Sequence, residues 1–146
     1  MHIDAMGQFI YLIFYLRLFY FSDLISRLKE GFVLHERISA IINIGELIIK
    51  VLMINHVLAC GWHFLGDVES KNTSEGWILR YELKNSTVYS RYINSYYYTF
   101  NIMSTVGSQI YPETDSEKLF NVLMTIMTSL IFGYTITTIG NIIESL

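Results

Sequence analysis

The residues of this chain that could do chemistry lie in one short stretch and a few scattered clusters. Ser104-Thr105-Val106-Gly107-Ser108-Gln109 is a turn-rich break between two hydrophobic spans, just after a short aromatic segment. A stretch like this offers its backbone, whose carbonyl oxygens can stand in for the hydration shell of an ion. On that reading Thr105, Val106 and Gly107 begin an ion filter, and Ser108 and Gln109 continue it towards an outer mouth. Thr-Val-Gly also occurs in ordinary loops, so the flanking elements must decide.

The remaining clusters each have a plainer alternative. Glu113 and Asp115 could form an acidic ring that concentrates cations, or simply a solvated turn. His56, Cys60 and His63 stand at i, i+4 and i+7, one helical face, a spacing that could hold zinc. They lack a fourth ligand, so packing between helices is the expectation and no metal is expected. Glu46 and Lys50 are four apart and can neutralise each other, which ionisable groups inside an apolar span require. A proton relay, or a membrane enzyme built on Glu46 and the histidines, is the sharper alternative. No set of residues points to catalysis, and neither a catalytic residue nor a cofactor is expected.

The composition favours a membrane. Of 146 residues, 52% are hydrophobic and 16% charged, and the single proline, Pro112, leaves long helices free to run. A net charge of −3 excludes a strongly basic surface for nucleic acid. The lone cysteine, Cys60, forms no internal disulfide and says nothing about compartment.

Taken in order, residues 9–21 are apolar and aromatic but interrupted by Arg17. As a helix they rise about 20 Å, short of the ~30 Å hydrocarbon core. Residues 22–37 set charges among spaced leucines, the pattern of an amphipathic helix at a membrane surface. A first full span is expected over 38–65. Residues 66–91 form a polar connection with two glycosylation sequons, Asn72-Thr73-Ser74 and Asn85-Ser86-Thr87, which favour an external face. The segment 92–103 is too short to cross a membrane yet strongly aromatic. A half-length helix followed by open backbone exists at membrane depth only where protein surrounds it or water lines it. A second clean span follows over 118–144, with Gly133 and Gly140 as flexible or close-packing points.

Three stretches then carry a family resemblance. His56-Val57-Leu58-Ala59-Cys60-Gly61-Trp62 looks like the signature of an outer pore helix. Tyr92-Ile93-Asn94-Ser95-Tyr96-Tyr97-Tyr98-Thr99 with Ser104-Thr105-Val106-Gly107 looks like a pore helix and filter entrance. Phe132-Gly133-Tyr134 through Ile139-Gly140-Asn141-Ile142 looks like the base of an inner helix. In this order they resemble the pore domain of the voltage-gated potassium and cyclic-nucleotide-gated cation channel superfamily. The likeness covers roughly residues 16–146.

The resemblance implies an all-α membrane protein. Two transmembrane helices would frame a re-entrant pore helix and filter loop, with four identical subunits around one pore. It implies an outer helix at 38–65, an external loop at 66–91, a pore helix at 92–103, a filter at 104–109 and an inner helix at 118–144. Residues 1–37 would be a sensor-helix remnant and surface linker. Thr135 and Ile139 match positions of an internal constriction, with helix packing as the alternative, and Gly133 would be a hinge.

The chain departs from the potassium pattern Thr-Val-Gly-Tyr-Gly-Asp. Ser108 replaces the bracing tyrosine, Gln109 replaces a glycine that tolerates positive φ, and the loop to Pro112 is one residue shorter. The expected function is therefore passive flux of potassium and sodium through a poorly discriminating pore in a lipid bilayer, the plasma membrane. The alternatives are a potassium-selective channel and a non-conducting accessory subunit. A cytoplasmic regulatory domain would lie outside this chain.

Overall fold

The structure, a computed structural model, describes residues 36–72 and 75–144. The expectations for residues 9–21, for nearly all of the linker at 22–37 and for most of the first sequon lie outside them. Residues 36–46 belong to one compact unit; a second begins at Leu47 and holds every contact below. The described residues form four helices and contain no strand: α1 (Glu36–Asn72), α2 (Trp77–Arg80), α3 (Val88–Met103) and α4 (Asp115–Glu144).

Two of these helices, α1 and α4, are long and apolar enough to cross a bilayer. At 1.5 Å per residue they rise about 55 and 45 Å, beyond the ~30 Å of hydrocarbon. Helix α1 passes the expected end at Leu65 because its polar extension pairs with itself and with α3. Lys71 Nζ lies 2.6 Å from Asp67 Oδ2 one turn earlier, and Arg91 reaches Asp67 Oδ1 at 3.6 Å. Lys71 also places a cation at the negative end of the helix.

Helix α3 begins at Val88, before the expected Tyr92, because Thr87 caps it. The Thr87 hydroxyl oxygen accepts from the Ser90 amide at 3.2 Å, satisfying one of the donors that a helix start leaves open. Its sixteen residues rise about 24 Å, still short of a crossing. Ser95, Tyr98, Thr99 and Met103 are buried, a stripe at i, i+3, i+4 and i+8. The buried hydroxyls bond back to their own helix, Ser95 to the Arg91 carbonyl and Thr99 to that of Ser95.

Helix α4 starts with a capping box, Thr114-Asp115-Ser116-Glu117. The Thr114 hydroxyl oxygen accepts from the Glu117 amide at 3.2 Å, and Glu117 Oε2 accepts from the Thr114 amide at 3.4 Å. Beyond this first turn α4 exposes Leu119, Val122, Leu123, Ile126, Met127 and Leu130. A helix apolar around most of its girth needs lipid or other helices as its solvent.

The core is a stack of rings. Trp62 on α1 lies parallel to Tyr98 of α3 at 4.3 Å and to Trp77 of α2 at 5.8 Å, and Phe120 of α4 closes the group at 6.1 Å. Ile78, Ile110 and Met124 complete it. Two glycines on α1 make the approach possible. A Cβ at Gly61 would stand 3.1 Å from the Phe120 ring, and one at Gly66 would stand 2.1 Å from Trp77 Nε1. Tyr98 directs its hydroxyl at Asn121 Oδ1, 2.7 Å away. Burial, and after it the nearby Glu117 charge, pushes the Tyr98 phenol well above its ordinary range, so it remains a neutral donor.

Candidate functional site

The loop after α3 gets its shape from where its amide groups point. The Thr105 amide donates to the Ile102 carbonyl, and the amides of Val106 and Gly107 both donate to the Asn101 carbonyl, at 3.1 and 3.3 Å. Ser104 adds its own hydroxyl, 2.8 Å from the Phe100 carbonyl. Every described peptide is trans, and in a trans peptide N–H and C=O point in opposite directions. With three successive amides turned back onto the helix end, the carbonyls of Ser104, Thr105 and Val106 turn away from it.

Alternating backbone handedness produces this arrangement. Ser104 has φ −82, Thr105 +61, and Gly107 +86, whereas Val106 is not among the positive-φ residues. Glycine adopts such an angle freely, but a β-branched threonine does so only under constraint. The constraint here is the converging amide bonds. Thr105, Val106 and Gly107 are all exposed, Val106 at 78%. The negative end of the α3 dipole lies directly behind them, which favours a cation in front.

Beyond Gly107 the loop is held differently. The Ser108 hydroxyl oxygen accepts from the Ile110 amide at 3.1 Å, a bond within the loop itself. The Tyr81 hydroxyl, from the end of α2, donates to the Gln109 carbonyl at 2.7 Å and accepts from the Tyr111 amide at 3.2 Å. Ile110 between them is buried in the core.

Glu117 anchors the far end. This carboxylate is fully buried; Oε1 accepts from the Trp77 amide at 3.1 Å and Oε2 from the Glu113 amide at 2.8 Å. It therefore ties α2, the loop exit and the first turn of α4 together. Both acidic mouth candidates have basic partners: Glu113 Oε1 lies 2.9 Å from Arg80 Nε, and Asp115 Oδ1 lies 3.1 Å from Lys118 Nζ.

Within the histidine and cysteine cluster, His56 bonds to α3 and Cys60 stays beside it. His56 Nδ1 is 2.7 Å from the Tyr92 hydroxyl, while Cys60 Sγ stands 3.7 Å from His56 Nε2. Among the described residues no three such groups gather in a way that could hold a metal. Asn55, one residue before His56 and fully buried, donates to the Tyr96 carbonyl at 3.4 Å and so also joins α1 to α3. On α4, Thr135 Oγ1 bonds to the Ile131 carbonyl, Ile139 is half-buried and Gly133 faces open space.

In chain order, a half-length helix and a loop lie between two long apolar helices. The model of the ion transport protein family covers residues 4–146. The chain belongs to that family. It is a membrane transport protein and not an enzyme. Among its relatives is the potassium voltage-gated channel unc-103 of Caenorhabditis elegans, 28% identical over 70% of this chain and 15% of its own length. The voltage-gated inwardly rectifying potassium channel KCNH7 of Mus musculus is 28% identical over 70% of this chain and 10% of its own. The voltage-gated delayed rectifier potassium channel KCNH5 of Homo sapiens is 31% identical over 62% and 11%. The chain thus spans under a fifth of the length of these relatives.

Three working residues escape a sequence reading of this family member. Glu117 could have been found, since Thr-x-x-Glu before an apolar run is a capping signal. Asn55 could have been noticed as a lone amide in an apolar span. Tyr81 carries no local signal, because its partners lie 28 and 30 residues away.

Proposed function

We propose that this chain is the pore-forming subunit of a tetrameric monovalent-cation channel, with Thr105 to Gln109 as its selectivity filter. The supporting observation is the set of amides folded back onto the end of α3, which turns the Ser104, Thr105 and Val106 carbonyls outward. One loop offers oxygens from one side only. Replacing a hydration shell needs rings of them, hence four identical subunits about an axis. The apolar face of α4 is then the surface against which lipid and neighbouring subunits pack.

On this reading residues 38–146 are the pore domain, α3 is re-entrant, and 1–37 are a sensor-helix remnant and linker. Glu113 and Asp115 stand at the outer mouth, Gly133 is the hinge, and Thr135 and Ile139 face the internal constriction. The setting is the plasma membrane, and any cytoplasmic regulatory domain belongs to the full-length protein. The permeant ions are potassium and sodium, because Ser108 bonds within its own loop instead of bracing the filter from behind. The printed names of the relatives favour a second reading, a potassium-selective pore.

Bi-ionic reversal potentials of the full-length protein separate the readings. Little change when sodium replaces potassium supports the unselective pore, and a strong potassium preference refutes it. No current from the purified protein in bilayers leaves the accessory subunit as the answer.

A further inference from the structure

The shortened loop lacks a bracing ring of its own, yet something holds its outer half. Tyr81 closes α2 as its C-cap residue, and its half-buried side chain packs against the buried core cluster. Trp77 and Ile78 on the same short helix are fully buried, and Glu117 accepts from the Trp77 amide. The ring is therefore fixed from behind. Its hydroxyl makes two bonds at once, to the Gln109 carbonyl and the Tyr111 amide, on either side of buried Ile110. A phenol can donate one hydrogen bond while accepting another, and both capacities are used here.

We propose that Tyr81, from the external connection, is the positioning residue that fixes the outer half of the filter and so sets its discrimination between cations. It rests on the channel reading above. Tyr81 holds the Gln109 carbonyl at a set distance from the core, and the diameter of the pore just outside Gly107 follows from that distance. Without the hydroxyl, residues 108–111 keep only the Ser108 bond and the Ile110 side chain as anchors.

The test compares Tyr81→Phe with Ser86→Ala in the full-length protein. Phenylalanine keeps the ring in the core and removes only the hydroxyl. Ser86→Ala deletes a bond to the Leu83 carbonyl in the same external connection and touches neither Gln109 nor Tyr111. Tyr81→Phe should shift the potassium-to-sodium permeability ratio by roughly two- to tenfold, the factor one net hydrogen bond is worth. Ser86→Ala should leave the ratio at the wild-type value. Hydrogen exchange at the Tyr111 amide should accelerate by a similar roughly two- to tenfold factor in Tyr81→Phe alone.

If the wild type conducts and Tyr81→Phe keeps its permeability ratio, Tyr81 does not set discrimination and the proposal is overturned. The same holds if Ser86→Ala shifts the ratio equally. A wild type that carries no current sinks the channel reading instead. The exchange rate at Tyr111 then decides separately whether Tyr81 holds the loop, an unchanged rate showing that it does not.

Discussion

Glu117 is the residue whose loss should be felt most widely. Its carboxylate accepts from the amides of Trp77 at 3.1 Å and Glu113 at 2.8 Å, with a longer bond to Thr114 at 3.4 Å. Hydrogen bonds to a charged acceptor contribute about 1.5–3 kcal/mol each, and a buried donor left unpaired costs about 1–3 kcal/mol. In Glu117→Ala the Trp77 amide is buried without a partner, whereas the Glu113 and Thr114 amides, on half-exposed residues, can turn to water. The expected loss is about 3–5 kcal/mol, from the lost charge-assisted bonds and the unpaired Trp77 amide together. Glu117→Gln is the sharper probe. It keeps the volume and one acceptor oxygen but aims an amide donor at backbone donors, for a loss of about 2–4 kcal/mol. Denaturant unfolding in micelles, followed by tryptophan emission, measures this directly. Both tryptophans of the chain, Trp62 and Trp77, belong to the ring stack beside the carboxylate. A Glu117→Gln protein within about 0.5 kcal/mol of wild type, the range of ordinary surface substitutions, would refute this anchoring role of Glu117.

Two further perturbations bear on packing and gating. Gly66→Ala puts a methyl 2.1 Å from Trp77 Nε1, so the indole must move; overpacking of this kind costs about 1–3 kcal/mol and should lower the thermal midpoint. A cysteine at Ile139 should react with internal thiol reagents only while the pore is open, and modification at one rate in both states would remove Ile139 from the constriction.

The outer-helix motif was legible because its residues are the ones that touch α3 and α4. His56 meets Tyr92, Gly61 admits Phe120, and Trp62 stacks on Tyr98. The half-length helix was legible from its aromatic run, but its start was not, since the polar stretch before Tyr92 reads as loop until Thr87 is seen capping it. The end of α1 was hidden for a similar reason. Asp67 to Asn72 is a polar string whose helicity rests on Asp67 pairing with Lys71 and with distant Arg91. Thr105 at positive φ was not legible at all. Local preference forbids it to threonine, and the bonds from Val106 and Gly107 to Asn101 override that preference.

Those bonds also divide the loop mechanically. Its entrance is fixed by amides converging on the end of α3, and its exit by Tyr81, Ile110 and the Glu117 network. Between them lies Ser108, with one bond to its own loop. On the proposed channel reading, a tyrosine at that position would extend the anchored part through the middle of the loop. On the same reading the anchors stop at Gly107 and resume at Gln109, and the Ser108 stretch between them is the part that would adapt to ions of more than one radius. The low discrimination proposed for this pore would then follow from where the anchors fall along the loop, with the Tyr81 hydroxyl just past α2 as a lever outside the filter.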